Sequence, residues 1–312
     1  MVESGLIKSN AYSLWLNDLE ANTGSILFGG VNKAKYHGDL KTLPIQMVNR
    51  GYSEFILALT GVAFASEYDS HSYSSASLPV AVLLDSGSSL TYLPDSLVRD
   101  IYDDFGVVYE PSSGIGFVPC NLGMNDTSIT YTFSSPTITV GVNELILDSG
   151  PLYFRDGTRA CPFGIVPAGD STAVLGDTFL RSAYVVYDLS NNEISLANTN
   201  FNPMSDDILE IGSGKDSVPG ATRVANPVTT VTVDNGSGAR IGGPTGTELP
   251  TATNAGTSLA VGLENIRRFL LYSLAGVGIW CILAPWCVCL CCHYIYQRCW
   301  RESSVSFCTY IR

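Results

Sequence analysis

Ala81-Val-Leu-Leu-Asp85-Ser86-Gly87-Ser88-Ser89-Leu90-Thr91-Tyr92 is the stretch on which the fold of this chain turns. A β-type apolar run leads straight into a carboxylate, a tight turn with a glycine follows, and the sequence becomes apolar again at Leu90. That order predicts a strand delivering one acid to its buried end, then a return strand. Burial opposes the charged form of a carboxylate unless donors stabilise the anion. Ser86 and Ser88 are the hydroxyls placed to do that.

Outward from this stretch, short β-type runs recur between turn signals. They are 11–16, 25–28, 55–59 and 81–84, then 129–133, 137–140, 145–147, 173–175, 183–187 and 194–197. Such spacing predicts an all-β fold. One helix is expected over 95–105, where Leu97, Ile101 and Phe105 fall on one face behind Pro94, and a shorter one over 178–181.

Three segments in a fixed order carry a resemblance. The Asp85 stretch resembles the second Asp-Thr/Ser-Gly motif of the pepsin family. Residues 173–188 with 192–197 are similar to that family's closing stretch, and Gly24-Ser-Ile-Leu-Phe-Gly-Gly30 with Lys35, Tyr36 and Gly38 is similar to the segment where its two lobes join. The resemblance covers roughly residues 5–200 and implies the carboxy-terminal lobe of an acid-active aspartic endopeptidase. It makes Asp85 a catalytic aspartate and Ser88 the donor to its outer oxygen. Ser86 would brace the turn against the partner lobe, Gly87 would permit the tight backbone, and Val174-Leu175-Gly176 would pack behind the loop. It also implies a disulfide between Cys120 and Cys161, polypeptide substrates, no cofactor and no metal.

Asp148-Ser149-Gly150 repeats the tripeptide, but Pro151 follows it and no apolar return does, so a turn is expected there. His37, His71 and His293 lack a Ser or Cys context for nucleophilic catalysis. The family places its first aspartate and a flap tyrosine on an amino-terminal lobe, and neither has a counterpart in this sequence. Residues 1–35 are expected to be the end of that lobe or a central sheet, and 36–201 the carboxy-terminal lobe. Met1-Val-Glu-Ser-Gly opens without a charged, apolar leader, so the sequence is expected to be a piece of a longer protein. The alternatives are a homodimer that brings two copies of Asp85 together and a non-catalytic surface glycoprotein.

Composition divides the chain. The 312 residues are 46% hydrophobic and carry a net charge of −12, but residues 1–264 alone hold 12 basic and 28 acidic residues, or −16. That surface excludes nucleic acid as a partner. Residues 202–268 are rich in Ser, Thr, Gly and Pro and are expected to form a disordered stalk open to O-glycosylation. Phe269–Cys292 is an apolar run of 24 residues, about 36 Å as a helix. It is expected to be a transmembrane helix or a glycolipid-anchor signal, the latter with Asn254-Ala255-Gly256 as its small-residue site.

Seven of the nine cysteines lie from Cys281 onward, ending in the Cys-rich tail 293–312. Cys289, Cys291 and Cys292 are candidates for palmitoylation. Cys120 and Cys161, alone in the globular part, suggest an oxidising compartment. Asn125-Asp126-Thr127 and Asn235-Gly236-Ser237 are glycosylation sequons consistent with it. The anchoring tail is similar to that of the yapsin-like fungal branch, which implies cell-surface localisation and cleavage near Lys or Arg.

Overall fold

The computed structural model describes residues 1–21, 23–48, 50–231, 299–302 and 305–311. The elements that position the site are two sheets and two short helices, and alternation along the strands decides how they pack. In the strand Ala183–Asp188 all six residues are buried. Val185 and Tyr187 face the main core, while Tyr184 and Val186 face a second cluster on the other side of the sheet. Leu14 and Trp15 divide in the same way, as do Leu43 and Leu40.

In this larger sheet the strand order is Ala221–Arg223, Tyr36–Pro44, Glu193–Thr199, Ala183–Asp188, Ala11–Trp15 and Thr23–Phe28. The backbones of Val305–Ile311 and then Cys299–Glu302 continue it beyond Thr23–Phe28. Residues 1–35, expected as lobe end or central sheet, thus pair directly with the closing strands, with Tyr12 opposite Tyr187.

The other sheet runs Ile165–Pro167, Thr91–Leu93, Ala173–Leu175, Val80–Leu84 and Ile56–Leu59. Helix α1 spans Asp95–Phe105 as expected and buries Leu97, Val98, Ile101, Tyr102 and Phe105. It ends at Gly106, whose φ of 59° is the left-handed conformation that glycine adopts without steric cost. Helix α2 spans Asp177–Leu180. Cys120 and Cys161 are joined in a disulfide with Cα atoms 5.0 Å apart.

Two expectations are corrected. Residues 145–147 are not a strand: a 3-10 turn, Val142–Glu144, precedes Leu145, which folds into the core, and only an isolated bridge from Ile146 to Phe163 follows. The stalk does not begin at residue 202. Ile208–Glu210 pairs antiparallel with Gly30–Asn32, and Ala221–Arg223 pairs parallel with Tyr36–Pro44. Ile211 and Val218 close the second apolar cluster from outside. The short apolar anchors are spaced too irregularly to show a period, but the sheet face they cover repays their ordering.

The remaining stalk residues 232–268, with Asn235 and the small-residue site, and the apolar run 269–292 lie outside the described residues. Among the described residues no helix is long and apolar enough to cross a membrane.

Candidate active site

The Asp85 loop is built by three strand ends. Ala173–Leu175 lies between the outbound limb Val80–Leu84, with which it is parallel, and the return limb Thr91–Leu93. The loop over residues 85–90 therefore arches across the end of this middle strand. Its entry is held by Asp85 N–H donating to Leu175 O at 3.1 Å. Its crest is held by two amides of α2, from Asp177 to Ser88 O at 2.8 Å and from Thr178 to Ser89 O at 3.3 Å.

Gly176 makes that approach possible. A Cβ there would stand 2.2 Å from Ser88 O and 2.4 Å from Leu90 O, distances that no side chain tolerates. The expected packing of Val174-Leu175-Gly176 behind the loop is what the structure has, with Val174 and Leu175 both buried.

Asp85 is half-buried, and Ser86 and Gly87 are exposed beside it. Its Oδ1 accepts the Gly87 amide at 2.9 Å, and its Oδ2 accepts the Ser88 hydroxyl at 2.7 Å. Hydrogen bonds to an ionised acceptor are the stronger kind. A Cβ at Gly87 would come within 3.1 Å of Oδ1, so glycine keeps the amide's approach clear. Ser88 thus donates to Asp85 as expected of it, while Ser86 is exposed at the turn.

An aromatic floor lies beside the carboxylate. Tyr187 stacks on Tyr12 with ring centroids 4.8 Å apart and meets Phe55 at 4.6 Å, and Phe55 O accepts the Leu84 amide next to Asp85 at 3.0 Å. Burial foremost, then Tyr12 and the Asp85 charge, hold the Tyr187 phenol well above its ordinary range.

Asp148-Ser149-Gly150 is a turn, as expected. Gly150 N–H donates to Asp148 Oδ1 at 3.0 Å, and Arg159 binds both Asp148 oxygens at 2.8 and 2.7 Å. The structure adds a pair the sequence concealed. Arg181, just after α2, donates through Nε to Glu144 Oε2 at 2.6 Å and through Nη2 to Glu144 O at 2.6 Å, both residues being buried. They stand 37 residues apart, and no periodicity signals their meeting. Asn125 is exposed at the end of a 3-10 turn next to the disulfide. Among the described residues no cluster of three or more His, Cys, Asp or Glu could hold a metal ion.

A mostly-β lobe that presents one carboxylate at the tip of a strand-loop-strand arch, held from behind by a Gly-Asp-Thr segment, has the pepsin-like aspartic protease fold. The family model described as eukaryotic aspartyl protease matches residues 1–199, and the chain belongs to that family.

It is 68% identical over 283 residues to a probable aspartic-type endopeptidase opsB of Aspergillus oryzae, and 66% identical over 286 residues to that of Aspergillus fumigatus. These alignments cover 89% and 91% of the chain but 58% of each relative, so the chain spans little more than half their length. At lower identity, 35% over 261 residues, it is similar to aspartic proteinase yapsin-3 of Saccharomyces cerevisiae, covering 82% of the chain and 49% of that protein.

Proposed function

We propose that this chain supplies one catalytic aspartate, Asp85, to an aspartic endopeptidase, and that the second carboxylate comes from an amino-terminal lobe outside this sequence. The observation that carries the reading is the Asp85 carboxylate itself: each oxygen takes one donor from its own loop, and the group is half-buried beside an exposed turn. A carboxylate so held is set to meet a second across a cleft. Two carboxylates brought close cannot both ionise, so the pair shares one proton. The charged member takes a proton from a water that attacks the peptide carbonyl, and the protonated member donates to the carbonyl oxygen. No acyl-enzyme forms on the way.

In this reading Ser86, at the exposed tip, braces the arch against the partner lobe. The substrates are polypeptides with Lys or Arg near the scissile bond, a preference supported by the acidic balance of residues 1–264. The lobe works at the cell surface, tethered through the apolar run 269–292. A disulfide needs an oxidising compartment, and Asn125 stands exposed within its sequon, which supports the secretory route.

The test is Asp85→Asn in the intact protein, assayed on peptides with and without a basic residue at the scissile bond. Cleavage should fall at least a thousandfold, with the unfolding midpoint unchanged, and glycosidase treatment of the same preparation should remove mass at Asn125. Full activity in the Asn variant would refute the assignment. A wild-type protein with no peptidase activity would favour a non-catalytic surface glycoprotein.

A further inference from the structure

Two threonines behind the Asp85 arch are fully buried, Thr91 at the foot of the return limb and Thr178 in the first turn of α2. A buried hydroxyl needs partners, and these find each other at 3.0 Å between Oγ1 atoms. Thr178 Oγ1 also donates to Gly164 O at 3.0 Å. A hydroxyl has one proton, so the order is fixed: Thr91 donates to Thr178, and Thr178 donates to Gly164 O.

The ring is closed by the backbone. Thr91 N–H reaches the same carbonyl at 2.9 Å, while Gly164 N–H is held by Leu145 O at 2.7 Å. Position 164 admits no side chain, because a Cβ would stand 2.6 Å from Thr178 Cγ2 and 3.1 Å from Leu145 O. Thr178 therefore holds the crest of the arch through its amide, at Ser89 O, and the return limb through its hydroxyl. Between these two points lies the chain that follows Ser88, whose hydroxyl supports Asp85.

We infer that Thr91 and Thr178 are positioning residues for Asp85, a hydroxyl chain that fixes where the carboxylate sits by tying the crest and the return limb of its loop to Gly164. The catalytic part of this inference rests on the endopeptidase reading; the clamp itself does not. Removing the Thr178 hydroxyl leaves the Thr91 hydroxyl without its acceptor and Gly164 O with the Thr91 amide as its one remaining donor of the two, whereas removing that of Thr91 strips Thr178 only of an incoming bond. Replacing both by isosteric valine leaves no orphaned hydroxyl, so the fold should regain most of its stability. The clamp would remain absent.

The experiment measures kcat, KM and unfolding midpoint in the intact protein for Thr91→Val, Thr178→Val, their double variant and Thr178→Ser, together with amide exchange over residues 86–91. Thr178→Val should lower kcat about tenfold with KM unchanged and speed exchange in the loop, and Thr91→Val should do less of both. The double variant should recover the unfolding midpoint but not kcat or exchange protection, and Thr178→Ser should recover all three. Recovery of kcat in step with the midpoint in the double variant would overturn the inference, as would unaltered loop exchange in Thr178→Val. If Asp85→Asn is fully active the endopeptidase reading falls, and the exchange data alone then decide whether the clamp exists.

Discussion

Ser88 shows how little of this site depends on distant structure. Its hydroxyl meets Asp85 Oδ2 at 2.7 Å from three residues along the chain, and the Gly87 amide meets Oδ1 from two, so both donors come from the loop that carries the acid. A hydrogen bond to an ionised group contributes roughly 1.5–3 kcal/mol. Ser88→Ala is therefore expected to lower kcat/KM about tenfold to a hundredfold while moving the stability of the half-exposed loop by less than about 1 kcal/mol. Steady-state assays beside Ser88→Thr, which keeps the hydroxyl, would check this; equal losses in both variants would contradict it. Because these contacts are local, Asp85, Gly87 and Ser88 were legible in the sequence. Glu144 and Arg181 were not, since a buried ion pair between a 3-10 turn and the end of a short helix exists only once the fold has brought them together.

At the scale of elements, strands and helices with a clear period came out close to their expected bounds, α1 among them, and the misses share a cause. The segment 206–228 has the composition of a linker, yet it is stapled to the lobe at many points. Lys33 N–H donates to Asp207 O at 2.7 Å, Ile211 N–H to Gly29 O at 2.8 Å, Val224 N–H to Thr42 O at 3.0 Å, and Gln46 Nε2 to Val228 O at 3.0 Å. Arg223 binds Glu193 and Asp216. What makes the segment fold is the second face of the larger sheet, which composition alone does not reveal. The family model matches residues 1–199, so this cover lies outside the residues that it matches. Ile211 is 0% exposed, and Ile211→Ala should cost about 2–5 kcal/mol in a denaturant melt. In a free stalk the same change would stay within about 0.5 kcal/mol.

At the scale of the whole molecule the two apolar clusters meet through the sheet, and tyrosines sit on both sides of it. Tyr187 and Tyr12 border the main core below the Asp85 arch, and Tyr184 lies in the second cluster, its hydroxyl accepting the Asn32 amide at 2.8 Å. Burial pushes the phenols of Tyr12 and Tyr184 up to about 12 and holds that of Tyr187 well above the usual range. In the unfolded chain these groups titrate near an ordinary value of about 10. The folded state therefore binds more protons than the unfolded state above that pH, and stability falls as pH rises. The contribution of Tyr12 and Tyr184 is fully present below about pH 10 and is lost from there through about pH 12, at about 1.4 kcal/mol per pH unit for each group in that window, and that of Tyr187 is lost in the same direction. Unfolding midpoints between pH 8 and 12, followed together with phenolate absorbance, should show the buried tyrosines ionising only as the lobe opens. Phenolate signal from all of them near pH 10 in a lobe that stays folded would mean that the sheet does not seal its two faces from water.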